Sequence, residues 1–121
     1  LFESQVENYR EGALLMREIA TSLPVGRRDE ALRQAALGSY LMHACQTVVN
    51  VKRGRRAFRA GDRAEVERLA RLEYANAKAA LAAVDADSRL GWLASSGYTG
   101  GRRQIEWKLR KMRETYGMED R

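Results

Sequence analysis

The residues best suited to chemistry lie between Asp85 and Lys108, where the regular helical pattern of the chain is interrupted. Six side chains of this stretch are candidates for binding a polar ligand: Asp87, Arg89, Trp92, Tyr98, Trp107 and Lys108. An aromatic ring packs on the C–H faces of a sugar, while a carboxylate and a guanidinium exchange hydrogen bonds with its hydroxyls. The chemistry predicted here is therefore recognition of a polyhydroxylated ligand.

A structural role is the alternative for the same stretch, and it is the one we favour. Arg89 follows Asp85 by four residues, so the two side chains are placed to form an ion pair on one helical face. Trp92 and Trp107 are then expected to close one end of a helical bundle. We assign no catalytic residue, because the separation of two carboxylates across a scissile bond is not encoded in their sequence positions.

A second candidate site is the basic run within Lys52–Arg63. Its anion-binding candidates are Lys52, Arg53, Arg55, Arg56 and Arg59. Phe58 is the one aromatic among them, whereas single-strand binders present several stacking rings. Gly54 and Gly61 predict that the run is a turn after a helix, where the helix dipole favours cations. We interpret the run as solvated surface; the alternative is a basic module that binds nucleic acid or an acidic protein.

His43 and Cys45 are the only histidine and the only cysteine. One of each excludes a disulfide within the chain and a Cys/His zinc cluster, so we predict neither metal nor cofactor. A lone thiol fits a reducing compartment and favours a cytoplasmic location. An enzyme built around Asp87 and His43 ranks last, because a general base needs a positioned partner that the sequence does not identify.

Helical periodicity dominates the rest of the chain and predicts an all-α fold. It specifies a four-helix, mostly antiparallel up-down bundle with a Gly/Ser/aromatic loop before the last helix. The first helix should end at Pro24, and the second should start at Arg28 or Asp29. Asp62 and Glu65 form a capping-box pattern that opens the third helix. The apolar stripes are Phe2, Val6, Tyr9, Ala13, Met16, Ala20 and Leu23; Leu37, Leu41, Ala44, Val48 and Val51; Val66, Ala70, Tyr74, Ala77, Leu81 and Val84; and Ile105, Leu109, Met112 and Tyr116.

Polar residues flank two of these stripes and are expected to meet inside the bundle. Tyr40, His43 and Asn50 lie beside the apolar stripe of the second helix, and Glu73 and Asn76 lie just off the stripe of the third. Buried polar groups are normally hydrogen-bonded, so a packing role is favoured over catalysis for this set.

Charge and length constrain the partners. The 121 residues suffice for one domain with a single core. The net charge is +6, and segments 1–26 and 62–87 are acidic whereas 27–61 and 88–121 are basic. This alternation favours pairing between successive helices, and nucleic acid is the less favoured partner.

No apolar run approaches the roughly 20 residues that span a bilayer, so no membrane partner is expected. The chain starts at Leu1 rather than Met, which indicates a fragment of a larger protein.

A resemblance adds to this interpretation. The pattern Glu73-x-x-Asn76, then Asp87-Ser88-Arg89-Leu90-Gly91-Trp92, Tyr98 and Trp107-Lys108, resembles the helical C-terminal region of large uncharacterised bacterial proteins that look like glycoside hydrolases. It covers roughly the last half of the chain. The resemblance implies a non-catalytic accessory domain whose partner is the catalytic domain of the parent chain, with carbohydrate as a further partner.

Overall fold

The computed structural model describes residues 1–87, 89–90, 92–93 and 98–118. Within these ranges the chain forms four helices and one short antiparallel strand pair: α1 (Phe2–Ser22), α2 (Val25–Arg59), α3 (Arg63–Ala86), β1 (Trp92–Leu93), β2 (Tyr98–Thr99) and α4 (Arg102–Tyr116). Each helix packs antiparallel to its neighbour in sequence, α1 on α2, α2 on α3 and α3 on α4. The predicted all-α, up-down arrangement is confirmed.

The contact between α1 and α2 is made by small residues. Ala13 of α1 is buried against Gly38 of α2, and a Cβ atom added at Gly38 would lie 3.3 Å from the Cβ atom of Ala13. Helix axes approach closely only where such side chains meet. Pro24 separates the two helices as predicted, because α1 ends at Ser22 and Leu23 is extended.

The bounds of α2 differ from the prediction at both ends. The helix begins at Val25 rather than at Arg28 or Asp29, because Pro24 is its N-cap residue and the Pro24 carbonyl accepts from the Arg28 amide at 3.0 Å. It continues through Gly54 to Arg59, so the basic run is mostly helix rather than turn. A glycine inside a helix costs only about 1 kcal/mol, which the good helix formers around it tolerate. The reversal occurs at Gly61, whose φ of 74° is left-handed.

Local signals set the ends of α3 and α4. Asp62 caps α3, since its carboxylate accepts from the Glu65 amide at 3.0 Å. The reciprocal half of the predicted capping box is absent between these two residues, because Glu65 pairs with Arg68 and the Asp62 amide donates to the Ala57 carbonyl. At the far end of the chain, α4 stops at Gly117, which adopts a left-handed conformation with φ 64°.

The core is built mainly of alanine, with a cluster of larger residues between α3 and α4. Tyr74, Ala77 and Leu109 form that cluster, and Ile105 and Met112 pack against it. These residues lie on the predicted stripes of the two helices. Alanine at the other buried positions lets the helices approach closely, which accounts for the few large side chains inside.

The apolar stripe predicted to be the core face of α2 is not buried as a whole. Leu37 is 38% exposed and Val51 58% exposed, whereas the neighbouring Ala36, Val49 and Asn50 are buried. The reason is that α2 has two partners on two other faces. Its stripe, running from Leu37 through Leu41, Ala44 and Val48 to Val51, lies on the side of α2 between them. We call this surface the open face of α2.

Candidate functional site

A buried carboxylate lies where α2, α3 and α4 meet. Glu73 of α3 is 5% exposed. The Thr47 hydroxyl donates to its Oε1 at 2.5 Å, and the Asn50 amide donates to its Oε2 at 2.7 Å, both from α2. From α4, the Lys108 ammonium pairs with Oε1. Glu73 therefore ties three helices together with one charged and two neutral partners.

Asn76 extends this network by one turn toward His43. Its Nδ2 donates to the His43 carbonyl at 3.0 Å and to the Thr47 hydroxyl at 3.1 Å, so its Oδ1 is left as an acceptor. His43 Nδ1 lies 2.7 Å from that oxygen and must therefore carry a proton. In the neutral ring the other nitrogen, Nε2, is then unprotonated.

This arrangement suits structural support better than chemistry. Both Glu73 oxygens already accept hydrogen bonds, and no buried side-chain nitrogen or oxygen of the described residues lacks a partner. Thr47 and Lys108 occupy Oε1, and Asn50 together with a longer contact from Asn76 at 3.4 Å occupies Oε2. The roughly four acceptor positions of the carboxylate are therefore all engaged, which leaves none to take a substrate proton. The packing role predicted for the polar residues of the second and third helices agrees with this geometry.

An open groove runs beside the network, with a volume of about 580 Å³. Ala77 and Ala80 of α3 form its floor, Tyr40 and His43 belong to the α2 wall, and Trp107 belongs to the α4 wall. We call it the lateral groove. It adjoins the open face of α2, because Ala44 and Val48 line it as well. Most of its lining is apolar, which is typical of a surface that packs against another molecule.

Trp107 does not close the end of the bundle. It is 56% exposed at the edge of the lateral groove. The predicted seal was wrong because Trp107 lies off the stripe of α4 that packs on α3, where Leu109 is buried. Its neighbour Lys108 points instead to Glu73.

Asp87 and Arg89 pair with each other at the C-terminal end of α3. The Arg89 guanidinium donates to both carboxylate oxygens of Asp87, with Nε at 2.9 Å from Oδ1 and NH2 at 2.8 Å from Oδ2. The Arg89 amide also donates to Oδ1, at 3.0 Å, which closes a tight turn. The predicted Asp85–Arg89 pair was wrong: Asp85 pairs with Arg102 across the gap to α4.

The side-chain hydrogen bond from Arg89 lowers the pKa of Asp87 from 3.8 to about 2, and the amide bond acts in the same direction. Asp87 is therefore ionised at neutral pH and unsuited to act as a general acid. It is also remote from His43, because it lies about 16 Å further along α3 than Asn76, the partner of His43.

The six candidates of the interrupted stretch do not form one site among the described side chains. Asp87 and Arg89 form a turn, Lys108 joins the Glu73 network, and Trp107 borders the lateral groove. Trp92 and Tyr98 lie in β1 and β2, in a register that pairs Trp92 with Thr99, but their side chains are outside the described part of the structure.

The basic run of α2 divides into two groups. Lys52 lies over the Phe2 ring, 4.9 Å from its centroid, and Arg53 pairs with Glu3, so both fasten α1 to α2. The other three cations, Arg55, Arg56 and Arg59, are exposed. Two of them, Arg56 and Arg59, lie in the last turn of the helix, where its dipole favours cations, as the sequence analysis expected.

A second groove, of about 630 Å³, lies next to this end of α2. Its walls include Phe58 of α2, Arg63, Glu67 and Arg71 of α3, and Tyr116 of α4. We call it the terminal groove. Sequence reasoning missed it because Tyr116 was assigned to the core stripe of α4; it is 44% exposed. The one available signal was that Tyr116 is the last residue of that stripe, where a helix end is the least covered.

The described residues contain no group of three or more His, Cys, Asp or Glu side chains placed to hold a metal ion. Nor does any helix among them combine the length and the apolarity that crossing a bilayer requires.

Comparison of the chain with protein-family models, with curated proteins and with solved structures finds no match.

Proposed function

We propose that this chain is a non-catalytic helical accessory domain of a larger carbohydrate-active protein. It packs against the catalytic domain of that protein through the open face of α2 and the lateral groove. The observation that carries the proposal is the exposure of large apolar side chains on this surface, from Leu37 and Val51 on α2 to Trp107 on α4.

Physical cost supports a docking role for this surface. Full burial of a large apolar side chain contributes about 1.5–3 kcal/mol, and these partly exposed side chains forgo a share of it. Contiguous apolar surface of this kind is rare on isolated domains and is typical of surfaces that contact a partner. The exposed residues Leu37 and Val51 lie at the two ends of this stripe, and the residues between them are half-buried.

A supporting role is also consistent with the polar residues. Glu73 and Asn76 are occupied by partners on α2 and α4, and Asp87 is held by Arg89. These contacts stiffen the contact regions of α2, α3 and α4, which suits a domain that presents a preformed surface. Packing surfaces on rigid helices bind with little loss of conformational entropy.

The gene that encodes the chain gives the first test. We expect it to encode a second, larger domain with the alternating strand–helix pattern of an α/β barrel on the N-terminal side of Leu1. An open reading frame that starts directly at this segment and encodes nothing else would contradict the proposal.

The second test compares two leucines in the full-length protein. Leu37→Asp places a charge on the open face of α2, whereas Leu72→Asp places one on α3 outside the two grooves, at a position of similar exposure (46% against 38%). If the open face is docked, Leu37→Asp lowers the melting temperature of the full-length protein more than Leu72→Asp does. In the isolated chain the two variants are expected to melt alike. Equal melting in the full-length protein would contradict docking through this face.

A further inference from the structure

The terminal groove combines aromatic rings, cations and one carboxylate that come from three helices. Phe58 belongs to the end of α2, Arg63, Glu67 and Arg71 to the first half of α3, and Tyr116 to the end of α4. Its volume of about 630 Å³ lies within the range of small-molecule sites, which is about 300–1,000 Å³. The combination of aromatic ring, carboxylate and guanidinium that the sequence suggested for Asp87–Lys108 thus occurs at the opposite end of α3.

The two rings are available for stacking. Phe58 is 76% exposed and Tyr116 is 44% exposed. Neither ring contributes its full apolar area to the core, so covering them with a ligand recovers hydrophobic free energy. The C–H faces of pyranose rings offer flat apolar surfaces of the required kind, and the tyrosine hydroxyl adds a polar end.

The cations of the terminal groove are weakly engaged. Arg71 has no ion pair within the part of the chain that the structure describes, and Arg63 reaches Glu67 only at 3.6 Å while remaining almost fully exposed. A guanidinium binds a carboxylate through two parallel hydrogen bonds, which is stronger and more specific than a point-charge contact. Two such groups on one groove favour a ligand that carries more than one carboxylate.

We propose that the terminal groove binds an acidic oligosaccharide composed of uronic-acid units. Sugar rings pack on Phe58 and Tyr116, their carboxylates pair with Arg63 and Arg71, and Glu67 accepts a hydrogen bond from a sugar hydroxyl. The inference rests on the proposed function, since it names the ligand class of a carbohydrate-active protein. It favours a polyuronate over a polynucleotide, because Glu67 repels a continuous phosphate backbone but suits a ligand rich in hydroxyls.

Calorimetric titration of the chain with hexagalacturonate tests the proposal. We expect saturable binding, and binding of the neutral cellohexaose at least about tenfold weaker, since hydrogen bonds to charged groups contribute about 1.5–3 kcal/mol each. Arg71→Ala should weaken hexagalacturonate binding about tenfold for the same reason. Phe58→Ala should weaken both sugars by a similar factor, because ring stacking does not depend on the carboxylates.

Arg103→Ala is the matched control. Arg103 is an exposed arginine of α4 with no ion pair among the described residues, and it does not line the terminal groove. The Arg103→Ala substitution removes the same charge as Arg71→Ala and should leave hexagalacturonate binding unchanged. Circular dichroism checks that each variant keeps its helix content. An equal loss in Arg103→Ala and Arg71→Ala would reduce the interaction to nonspecific attraction by net charge and overturn the proposal.

Two further results would also overturn it. One is the absence of hexagalacturonate binding by the folded chain, and the other is tighter binding of a ten-residue oligodeoxythymidylate, which would identify a polynucleotide site. These outcomes are separable from the docking test, which uses Leu37→Asp and melting of the full-length protein. Loss of sugar binding with docking intact removes only this inference, whereas loss of docking with sugar binding intact removes only the proposed packing.

Discussion

Two carboxylates, Glu73 inside α3 and Asp87 directly after it, differ in which parts of the chain their ion pairs connect. Glu73 is bound by Thr47, Asn50 and Lys108, which lie 23 to 35 residues away on two other helices. Asp87 is bound by Arg89, two residues further along the chain. In the sequence only the second pair lies within one short stretch, whereas Glu73 and Lys108 are 35 residues apart. Only the first joins separate helices, so the two should differ strongly in their contribution to the free energy of unfolding.

Lys108→Ala should produce the largest loss among the variants of the two ion pairs. It leaves Glu73 buried without its cationic partner, and breaking a buried ion pair from one side costs about 3–5 kcal/mol. We expect a value near the lower limit, about 3 kcal/mol, because Lys108 is itself one-third exposed. Urea unfolding followed by circular dichroism measures the change.

Arg89→Ala is the comparison for the pair just beyond the C-terminal end of α3. It should destabilise the chain much less than Lys108→Ala in the same urea unfolding, because the Arg89 guanidinium is exposed and its partner Asp87 is only two residues away. A loss in Arg89→Ala as large as that in Lys108→Ala would mean that the turn after α3 is as important for stability as the junction of three helices.

Glu73→Gln should give the next largest effect. The substitution keeps the shape of the side chain but replaces one acceptor oxygen with an NH₂ group, which then faces a donor from Asn50 or Lys108. An unsatisfied buried donor costs about 1–3 kcal/mol, so we expect a loss of about 2 kcal/mol.

Combining Glu73→Gln with Lys108→Met should cost less than the sum of the two single changes, because both act on one interaction. Additive losses in urea unfolding would show that the pair is not coupled.

The sequence predicted the structural features, such as helix ends and caps, that depend on residues close by in the chain. Pro24 ends α1 and Asp62 caps α3, because each acts on a backbone only a few residues away. Helix count and direction followed from the apolar spacing. The polar residues Glu73 and Asn76 were also identified, since they lie beside an apolar stripe.

The sequence did not predict which side chains pack or pair with each other between different helices. The periodicity of α2 shows two adjacent stripes, one with large apolar residues and one with Ala36, His43 and Asn50, and hydrophobicity favours the first as the core. The structure buries Ala36 and Asn50 of the second, because small side chains permit close helix packing and Asn50 has a buried partner in Glu73. Likewise Asp85 pairs with Arg102 rather than Arg89, a choice that depends on where α4 is placed.

Trp107→Ala should have a small effect, and this sharpens the contrast with its neighbour Lys108. A side chain that is more than half exposed leaves little cavity, so we expect a loss of about 1 kcal/mol or less. Leu109→Ala, which truncates a buried residue of the same helix, should cost about 2–5 kcal/mol. Thermal unfolding of the two variants checks the difference. A loss above about 3 kcal/mol in Trp107→Ala would restore the sealing role that its exposure argues against.

Asp87→Asn gives the smallest and most specific effect, a change in the pH dependence of stability. The pKa of Asp87 is lowered from 3.8 to about 2 in the folded chain by Arg89. A group with a lowered pKa stabilises the fold above its unfolded value, and this contribution disappears as the pH falls through its folded value. The melting temperature of the unmodified chain should therefore exceed that of Asp87→Asn above about pH 5, and the two should converge between about pH 4 and pH 2. Asparagine still accepts the Arg89 amide through Oδ1, but its NH₂ group cannot accept from the guanidinium, so the charge and one side-chain hydrogen bond are removed together. Asp29→Asn, at an exposed carboxylate with no ion pair in the described ranges, serves as the control. A gap between Asp87→Asn and the unmodified chain that stays constant down to pH 2 would show that Asp87 acts through its shape and not through its charge.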